Sequence, residues 1–187
     1  MTGILVYVMG PSGAGKDSLL EYARRNMGLA VGPPVIFTQR YITRPADPDG
    51  ERHLPLSREE FRLRRAAGFF ALCWESHGLS YGIGRELDDI LASGAAAVVS
   101  GSRLHLPEAR KRYSNLVPLL ITARADILRS RLEKRGREDA GSIEERLDSA
   151  AAREIGPAPG LITVDNSGSL ATAQRNFLEI LRRITAG

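Results

Sequence analysis

The sequence has few cysteines, lysines or aromatic residues, and each scarcity excludes a class of protein. Cys73 is its single cysteine, so no disulfide can form within the chain, as is typical of a reducing compartment. Only three of the 26 basic residues are lysines, and aromatic residues make up 6%. A protein that binds single-stranded nucleic acid typically combines a basic groove with interleaved aromatic residues. We therefore expect no nucleic-acid partner.

Long hydrophobic runs are also missing. No stretch approaches the length of a membrane-spanning helix, and the opening apolar run, residues 4–9, is too short for a secretory signal. We therefore expect a cytoplasmic protein that does not contact a membrane.

What the chain does contain is arginine. The formal charge of +4 and the pI of about 9.6 fit either nucleic acid or small polyanionic ligands. Arginine is the better bidentate partner for phosphate, and the arginines here are scattered through predicted loops. This distribution favours phosphorylated small molecules as ligands.

Short apolar runs alternate with longer amphipathic ones, a pattern typical of βαβ units around a parallel sheet. Strands are predicted over residues 4–9, 35–38, 69–74, 95–100, 116–122 and 161–164. Helices are predicted over residues 17–27, 57–67, 85–92, 107–112, 126–135, 142–153 and 170–184. Because 187 residues suit one domain, we expect a single α/β domain, 1–187, with a parallel sheet flanked by helices.

Local signals mark helix starts and loops. Ser57 with Glu60 and Ser142 with Glu145 form capping boxes, and Asp126 is the predicted N-cap of its helix. Residues 40–57 are rich in proline, arginine, aspartate and glycine and are predicted as loop. The irregular segment 39–82 is the best candidate for an inserted subdomain.

One motif carries chemistry by itself. Residues 10–16 read G-P-S-G-A-G-K, which fits the phosphate-binding motif G-x-x-x-x-G-K, and they stand between a predicted strand and a predicted helix. Glycines let backbone N–H groups wrap around phosphates, the helix N-terminus adds positive charge, and the lysine neutralises the β- and γ-phosphates during transfer. We therefore predict a P-loop NTPase with Lys16 as a catalytic residue. The predicted ATP-binding residues are Gly10, Pro11, Ser12, Gly13, Ala14, Gly15, Lys16, Asp17 and Ser18.

The position after the lysine departs from the motif. It normally holds the hydroxyl that binds Mg²⁺, but here it is Asp17, with the hydroxyl one place later at Ser18. A carboxylate is a hard oxygen donor that could hold Mg²⁺ directly or through water. Asp17 could equally be a helix-start acid that interacts with the helix dipole. We predict Asp17 and Ser18 as the metal-binding positions, with both roles open for Asp17.

Three further elements resemble those of guanylate kinase and its relatives in order and spacing. They are Thr43-Arg44-Pro45, Tyr81-Gly82 after His77-Gly78, and Lys134-Arg135-Gly136-Arg137 followed by Arg146-Leu147. The resemblance implies an acceptor-binding region within 39–82 and a lid over ATP within 134–146. It also implies that Arg44 and Tyr81 hold the acceptor phosphate, and that Arg135 and Arg146 are catalytic and stabilise the γ-phosphoryl group. The alternative for any single arginine is a solvated surface charge, and for Tyr81 a core aromatic.

The sequence departs from guanylate kinase where that family recognises guanine. The family's F-x-E-W-A element contains a glutamate, and here Leu72 takes its place. Ile83 replaces the hydroxyl residue that follows Tyr-Gly, and Arg103 stands near a usually acidic element. A buried donor that loses its partner costs about 1–3 kcal/mol. Together these changes argue against guanine.

The same stretches resemble the ribose 1,5-bisphosphate phosphokinase family of phosphonate breakdown. The shared elements are G-P-S-G-x-G-K-D-S, R-x-x-T-R-P, H-G-x-x-Y-G and G-S-R. The resemblance implies transfer from ATP to ribose 1,5-bisphosphate with Mg²⁺, giving 5-phosphoribosyl 1-diphosphate and ADP. The predicted substrate-binding residues are then Arg40, Arg44, His53, Tyr81 and Arg103.

Two other functions stay open at the level of sequence. One is a nucleoside monophosphate kinase with an altered base site. The other is a non-catalytic guanylate-kinase-like binding module, which the intact Gly15-Lys16 pair and the lid arginines disfavour. Asp165 and Asn166 fall where the family places polar contacts to the nucleotide base, and a turn before a helix explains them equally well.

Overall fold

The computed structural model describes residues 3–28, 33–46, 52–135 and 159–186. Nine strands lie within these ranges: β1 (Leu5–Met9), β2 (Val35–Phe37), β3 (Arg40–Ile42), β4 (His53–Pro55), β5 (Phe70–Ser76), β6 (Leu79–Gly84), β7 (Ala96–Ser100), β8 (Leu116–Thr122) and β9 (Ile162–Asp165). The same ranges contain six α-helices: α1 (Lys16–Asn26), α2 (Arg58–Ala66), α3 (Glu86–Ala92), α4 (Leu106–Arg112), α5 (Ala125–Arg135) and α6 (Leu170–Thr185). A 3₁₀ turn, Arg103–His105, leads into α4.

The larger sheet is five-stranded and wholly parallel. Its strand order is β2-β7-β1-β8-β9, so the strand that precedes the phosphate loop is central. Alternate residues of β1 serve opposite faces. Val6 and Val8 pack with side chains of α1 and α6, whereas Tyr7 packs with side chains of α3 and α4. Helices therefore cover both faces of the sheet, as a parallel sheet requires.

A smaller sheet of four strands lies between β2 and α3 in the chain. Its order is β4-β3-β6-β5, with β3 and β4 parallel and the other pairs antiparallel. His77 and Gly78 join β5 to β6 with φ of 49° and 71°, the positive values of a two-residue hairpin turn. Phe61 of α2 stacks on Phe70 of β5 with ring centres 4.6 Å apart. This sheet occupies the segment predicted as an insertion, 39–82, and ends at Gly84.

The prediction of loop over residues 40–57 is wrong, because β3 and β4 lie within it, and β6 was not predicted at all. Strands β3 and β4 have three residues each, too few to show an alternating pattern. Pro55 is tolerated because β4 is an edge strand. Gly82 and Gly84 weaken the strand signal of β6.

The predicted start of α2 is confirmed. Ser57 Oγ accepts a hydrogen bond from the backbone N–H of Glu60 at 3.0 Å. The capping box is only half formed, because the Glu60 carboxylate accepts a hydrogen bond from Arg64 Nε at 2.7 Å instead.

The prediction that Asp126 is an N-cap is wrong. Helix α5 begins at Ala125, which puts Asp126 inside the first turn, where its carboxylate accepts hydrogen bonds from the Arg124 guanidinium. The predicted loop 136–141 and helix 142–153, with the capping box of Ser142 and Glu145, lie outside the described residues. The other predicted elements are confirmed to within one or two residues at each end. Among the described helices, none is both long enough and apolar enough to span a membrane.

Candidate active site

The phosphate-binding loop connects β1 to α1, as its sequence predicts. Gly15 precedes the helix with φ of 85°, a left-handed conformation that favours glycine. Lys16 is the first helical residue, and its Nζ donates hydrogen bonds to the carbonyl oxygens of Gly10 (3.0 Å) and Pro11 (3.3 Å). The ammonium group therefore lies against the loop.

Two residues outside the motif hold this loop. Asn166 is fully buried after β9, and its Nδ2 donates to the carbonyl oxygen of Ala14 at 2.8 Å. Arg131 of α5 donates from Nη2 to the Asn166 carbonyl oxygen (2.9 Å) and from Nη1 to that of Gly13 (3.4 Å). A Cβ at Gly15 would lie 2.4 Å from Asn166 Nδ2, so the loop glycine is also required sterically. The loop is thus fastened to both α5 and the β9–α6 turn.

The sequence offered two interpretations of Asn166, a polar contact to the nucleotide base or part of a turn before a helix, but it did not predict that Asn166 holds the loop. Arg131 was not among the predicted site residues. The signal that could have found Asn166 is its position directly after the last parallel strand, because carboxyl ends of parallel strands share the binding edge of such sheets. Arg131 carries no such signal, since an arginine on a helix is ordinarily a surface charge. Its role depends on where α5 packs.

The two predicted metal-binding positions lie in the first turn of α1. Asp17 is half-buried and Ser18 is exposed. No three histidine, cysteine, aspartate or glutamate side chains cluster to hold a metal ion anywhere in the described residues. Mg²⁺ usually takes one or two carboxylates and completes its shell with substrate phosphates and water. One carboxylate and one hydroxyl beside a phosphate loop therefore fit that ion.

Two of the residues predicted for the acceptor, Arg40 and Tyr81, lie together on one face of the smaller sheet. The guanidinium carbon of Arg40 on β3 lies 5.2 Å from the ring centre of Tyr81 on β6. Thr43 links the two strands, because its N–H donates to the Ser80 carbonyl oxygen (3.1 Å) and its Oγ1 accepts from the Ser80 N–H (2.8 Å). The Thr-Arg-Pro element is thereby fixed beside the strand that carries Tyr81.

His53 is next to Arg44 but largely buried. The side chain is on β4 with 9% of its surface exposed, and Nε2 lies 3.0 Å from the carbonyl oxygen of Arg44. This contact fixes the backbone of the Thr-Arg-Pro element and so helps to position Arg44. A direct contact between His53 and the acceptor stays a prediction.

A buried tyrosine ties the segment of Arg103 to the central strand. The hydroxyl of Tyr7 donates to the carbonyl oxygen of Ser102 (3.1 Å) and accepts from its N–H (2.9 Å). A Cβ at Gly101 would lie 2.0 Å from the Tyr7 ring, so a glycine is needed for this approach. Burial raises the pKa of Tyr7 to about 12. Strand β1 therefore supports both the phosphate loop and the segment of Arg103.

Aromatic rings connect the smaller sheet to the segment of Arg103. Trp74 of β5 lies beside Tyr81 with ring centres 5.6 Å apart and planes 3° apart. Trp74 also stacks with His105, with centres 5.6 Å apart and planes at 27°. Burial lowers the pKa of His105, which favours the neutral imidazole.

The two positions predicted to replace guanine contacts, Leu72 and Ile83, are in the core. Leu72 and Ile83 pair across β5 and β6, with 4% and 0% of their surfaces exposed. They belong to the same apolar cluster as Tyr7. Apolar side chains at these positions offer a base no hydrogen-bond partner.

The predicted catalytic residues are described unequally. Lys16 is in place on the loop. Arg135 is the last residue of α5, and Arg146 lies outside the described residues, as does most of the predicted lid, 134–146. The roles of both arginines stay predictions.

Comparison with known proteins identifies the family. The chain is 56% identical over 167 residues to the ribose 1,5-bisphosphate phosphokinase PhnN of Desulfomicrobium baculatum, covering 89% of this chain and 88% of that one. It is 51% identical over 181 residues to the protein of the same name in Chromobacterium violaceum, covering 97% and 95%. No protein-family model matches the chain.

Solved structures show the same fold at low identity. The guanylate kinase of Anaplasma phagocytophilum superposes with a TM-score of 0.64 at 18% identity, over all of this chain and 88% of that one. The fold is therefore guanylate-kinase-like, with a parallel sheet flanked by helices as in P-loop NTPases. Given identities above one half to these two relatives over most of both chains, this protein belongs to the ribose 1,5-bisphosphate phosphokinase family.

Proposed function

We propose that the protein transfers the γ-phosphoryl group of ATP to ribose 1,5-bisphosphate, giving 5-phosphoribosyl 1-diphosphate and ADP. The observation that carries the proposal is the composition of the acceptor face. Cationic and phenolic side chains, Arg40 and Tyr81, stand on the sheet where the base-contact positions hold buried Leu72 and Ile83. The proposal includes a cytoplasmic location, where ATP is available.

The chemistry suits this set of residues. An oxygen of the 1-phosphate is already ionised at neutral pH, so it can attack the γ-phosphorus without a general base. The bond from the γ-phosphorus to the bridging oxygen of ADP breaks, and ADP leaves. Catalysis then depends on in-line positioning and on stabilisation of charge, both of which fixed cations supply.

Each side of the site has a proposed task. On the nucleotide side, the loop N–H groups and Lys16 bind the phosphates of ATP, and Arg135 and Arg146 stabilise the moving phosphoryl group. On the acceptor side, Arg40, Arg44 and Tyr81 bind one phosphate of the sugar. Arg103 and His53 are assigned to further contacts with the acceptor.

Mg²⁺ is the proposed cofactor. Asp17 and Ser18 would hold it at the start of α1. When bound, the ion neutralises charge on the nucleotide phosphates.

A coupled assay of ADP release tests the proposal. Purified protein with ATP and Mg²⁺ is given ribose 1,5-bisphosphate or one of a panel of nucleoside monophosphates, and ³¹P NMR identifies the product. We expect turnover with the sugar bisphosphate, a new diphosphate signal, and little or no turnover with GMP. Brisk phosphorylation of GMP together with none of ribose 1,5-bisphosphate would overturn the proposal in favour of a nucleotide kinase.

A further inference from the structure

We propose that Trp74 is a specificity-determining residue whose indole closes the acceptor site on the side where a nucleobase would enter. This inference rests on the proposed function and deepens it. It names the feature that restricts the acceptor to a phosphorylated compound without a base.

Trp74 shares its sheet face with the proposed phosphate-binding residues. It pairs with Tyr81 across β5 and β6, and the next pair on that face is Leu72 with Ile83. Cross-strand partners project from the same face of a sheet, and so do alternate residues of a strand. The indole therefore stands on the acceptor face, where it contacts both the ring of Tyr81, a proposed phosphate-binding residue, and the ring of His105.

The contacts of the indole leave no room for a flat base in the stack. Both ring separations are 5.6 Å, within the range of rings in direct contact. A base inserted between either pair of rings would have to push the two rings out of contact. That movement is opposed by the β5–β6 pairing on one side and by the Tyr7 anchor of the segment after β7 on the other.

The surroundings would also penalise a base chemically. Leu72 and Ile83 next to the indole are buried and apolar, so ring N–H and amino groups of a base would lose their partners in water without replacement. Arg40 over Tyr81 keeps the opposite end of the stack cationic. A face with cations at one end and an indole wall at the other suits a small sugar with phosphate groups.

Substitution of Trp74 tests the inference at neutral pH. We compare kcat/KM for ribose 1,5-bisphosphate with kcat/KM for GMP in the native protein, Trp74→Ala and Trp74→Phe. Removal of the indole in Trp74→Ala should lower the ratio of kcat/KM for ribose 1,5-bisphosphate to kcat/KM for GMP roughly tenfold or more. In Trp74→Phe the phenyl ring still occupies the space, so this ratio should stay within about threefold of the native value. Calorimetric titration should show that GMP binds to Trp74→Ala more tightly than to the native protein.

Several results would overturn the inference. One is a folded Trp74→Ala variant, verified by circular dichroism, whose ratio is unchanged; another is a Trp74→Phe ratio that falls as far as that of Trp74→Ala. If Trp74→Ala does not fold, His105→Ala opens the same space from the other side, and an unchanged ratio there counts against the inference.

The single tryptophan adds a readout that needs no turnover. Trp74 is the only tryptophan in the chain, so tryptophan fluorescence reports on the surroundings of this indole. Ribose 1,5-bisphosphate should change the emission of the native protein, and GMP at equal concentration should not. An equal change with GMP would contradict the inference. If the native protein fails to phosphorylate ribose 1,5-bisphosphate, the proposed function fails. Tighter GMP binding by Trp74→Ala would still support the inference that the indole excludes a nucleobase.

Discussion

The nucleotide side and the acceptor side of the candidate site are built in different ways. The phosphate loop is one continuous stretch at the end of the central strand, and its carbonyl groups are held by the buried Asn166 and by Arg131. The acceptor side takes Arg40, Tyr81 and Arg103 from three separate segments, and each of these side chains is half-buried. The phosphate loop is therefore a locally preformed structure, whereas the geometry of the acceptor side depends on how firmly its three segments are held relative to each other.

This difference predicts which kinetic constant each substitution changes. Substitutions around the loop should alter the use of ATP whatever the acceptor. Substitutions in the smaller sheet, or in the contacts that anchor it, should alter the KM of the acceptor and leave that of ATP nearly unchanged. A substitution that changed both constants equally would show that the two sides act as one unit.

The largest effect is expected for Lys16→Ala. The ammonium is the proposed partner of the transferred phosphates, and loss of such a group typically lowers kcat about 100- to 1,000-fold. Circular dichroism should show an unchanged fold. The matched control is Lys111→Ala, which removes an exposed lysine that forms a surface pair with Glu108 at 3.8 Å. Retained activity in Lys16→Ala would contradict the assignment of the loop.

Arg44→Ala should act on the acceptor alone. Loss of charge-assisted hydrogen bonds to a phosphate should lower kcat/KM for ribose 1,5-bisphosphate about 10- to 100-fold, with the KM of ATP within about threefold of native. Steady-state kinetics with each substrate varied in turn gives both values. Arg62→Ala on the exposed surface of α2 is the control. A larger change in the KM of ATP than in kcat/KM for ribose 1,5-bisphosphate would contradict the assignment of Arg44 to the acceptor side.

Asn166→Ala should weaken the nucleotide side from outside the motif. The substitution leaves the Ala14 carbonyl without its buried donor, which should cost about 1–3 kcal/mol of unfolding free energy and raise the KM of ATP several-fold. Asn26→Ala is a matched control, because Asn26 also donates to a backbone carbonyl, that of Tyr22 at 2.8 Å, but in an exposed position. Chemical denaturation and ATP titration check both quantities. An effect on the acceptor KM alone would refute the role of Asn166.

Tyr7→Phe should produce the smallest effect, on the acceptor side. The ring stays in the core, but both hydrogen bonds to Ser102 are lost, so the segment of Arg103 is held less firmly. We expect the acceptor KM to rise about three- to tenfold. Tyr113→Phe is the control, since the hydroxyl of this buried tyrosine donates to the carboxylate of Asp88 and not to the segment of Arg103. Equal effects of the two variants on acceptor KM would contradict a positioning role for Tyr7.

Alkaline stability gives the same pair of tyrosines a second comparison. Burial raises the pKa values of Tyr7 and Tyr113 to about 12, from 10.0. Because the pKa of each tyrosine is higher in the folded than in the unfolded state, ionisation of the phenols favours unfolding. Their contribution to the free energy of unfolding is fully present below pH 10 and is lost between about pH 10 and 12. Each Phe variant should therefore lose less stability over that interval than the native protein, as measured by thermal unfolding. A native-like loss in both variants would show that other groups govern alkaline unfolding.

The sequence predicts the local structure of the phosphate loop far better than that of the smaller sheet, for a physical reason. Residues of the phosphate loop are adjacent in the chain, so their spacing alone defines a local structure between β1 and α1. Most of the predicted strands and helices were also recoverable, because apolar periodicity is a local property. The strands β3, β4 and β6 were not, because they are short or rich in glycine and are stabilised by pairing with each other.

The contacts that support the site escaped prediction because they join residues distant in sequence. Tyr7 reads as one more apolar residue of a buried strand, and only the fold brings its hydroxyl to Ser102. Asn166 and Arg131 likewise meet the loop through the order of β1, β8 and β9 in the sheet. Resemblance to known families supplied Arg44 and Tyr81, which spacing alone would leave as a surface charge and a core aromatic.

The smaller sheet leaves and rejoins the larger one as a single uninterrupted stretch of chain. It departs after β2, where the Thr38 N–H bonds to the Val98 carbonyl oxygen, and returns at Arg85, directly before α3. Most of the acceptor side is therefore encoded by one short piece of gene. If the proposed acceptor site is correct, we expect recombination within that piece to change the acceptor while the phosphate loop stays as it is. Among the described residues, the turn Arg103–His105 is the distant part that we expect to change with it.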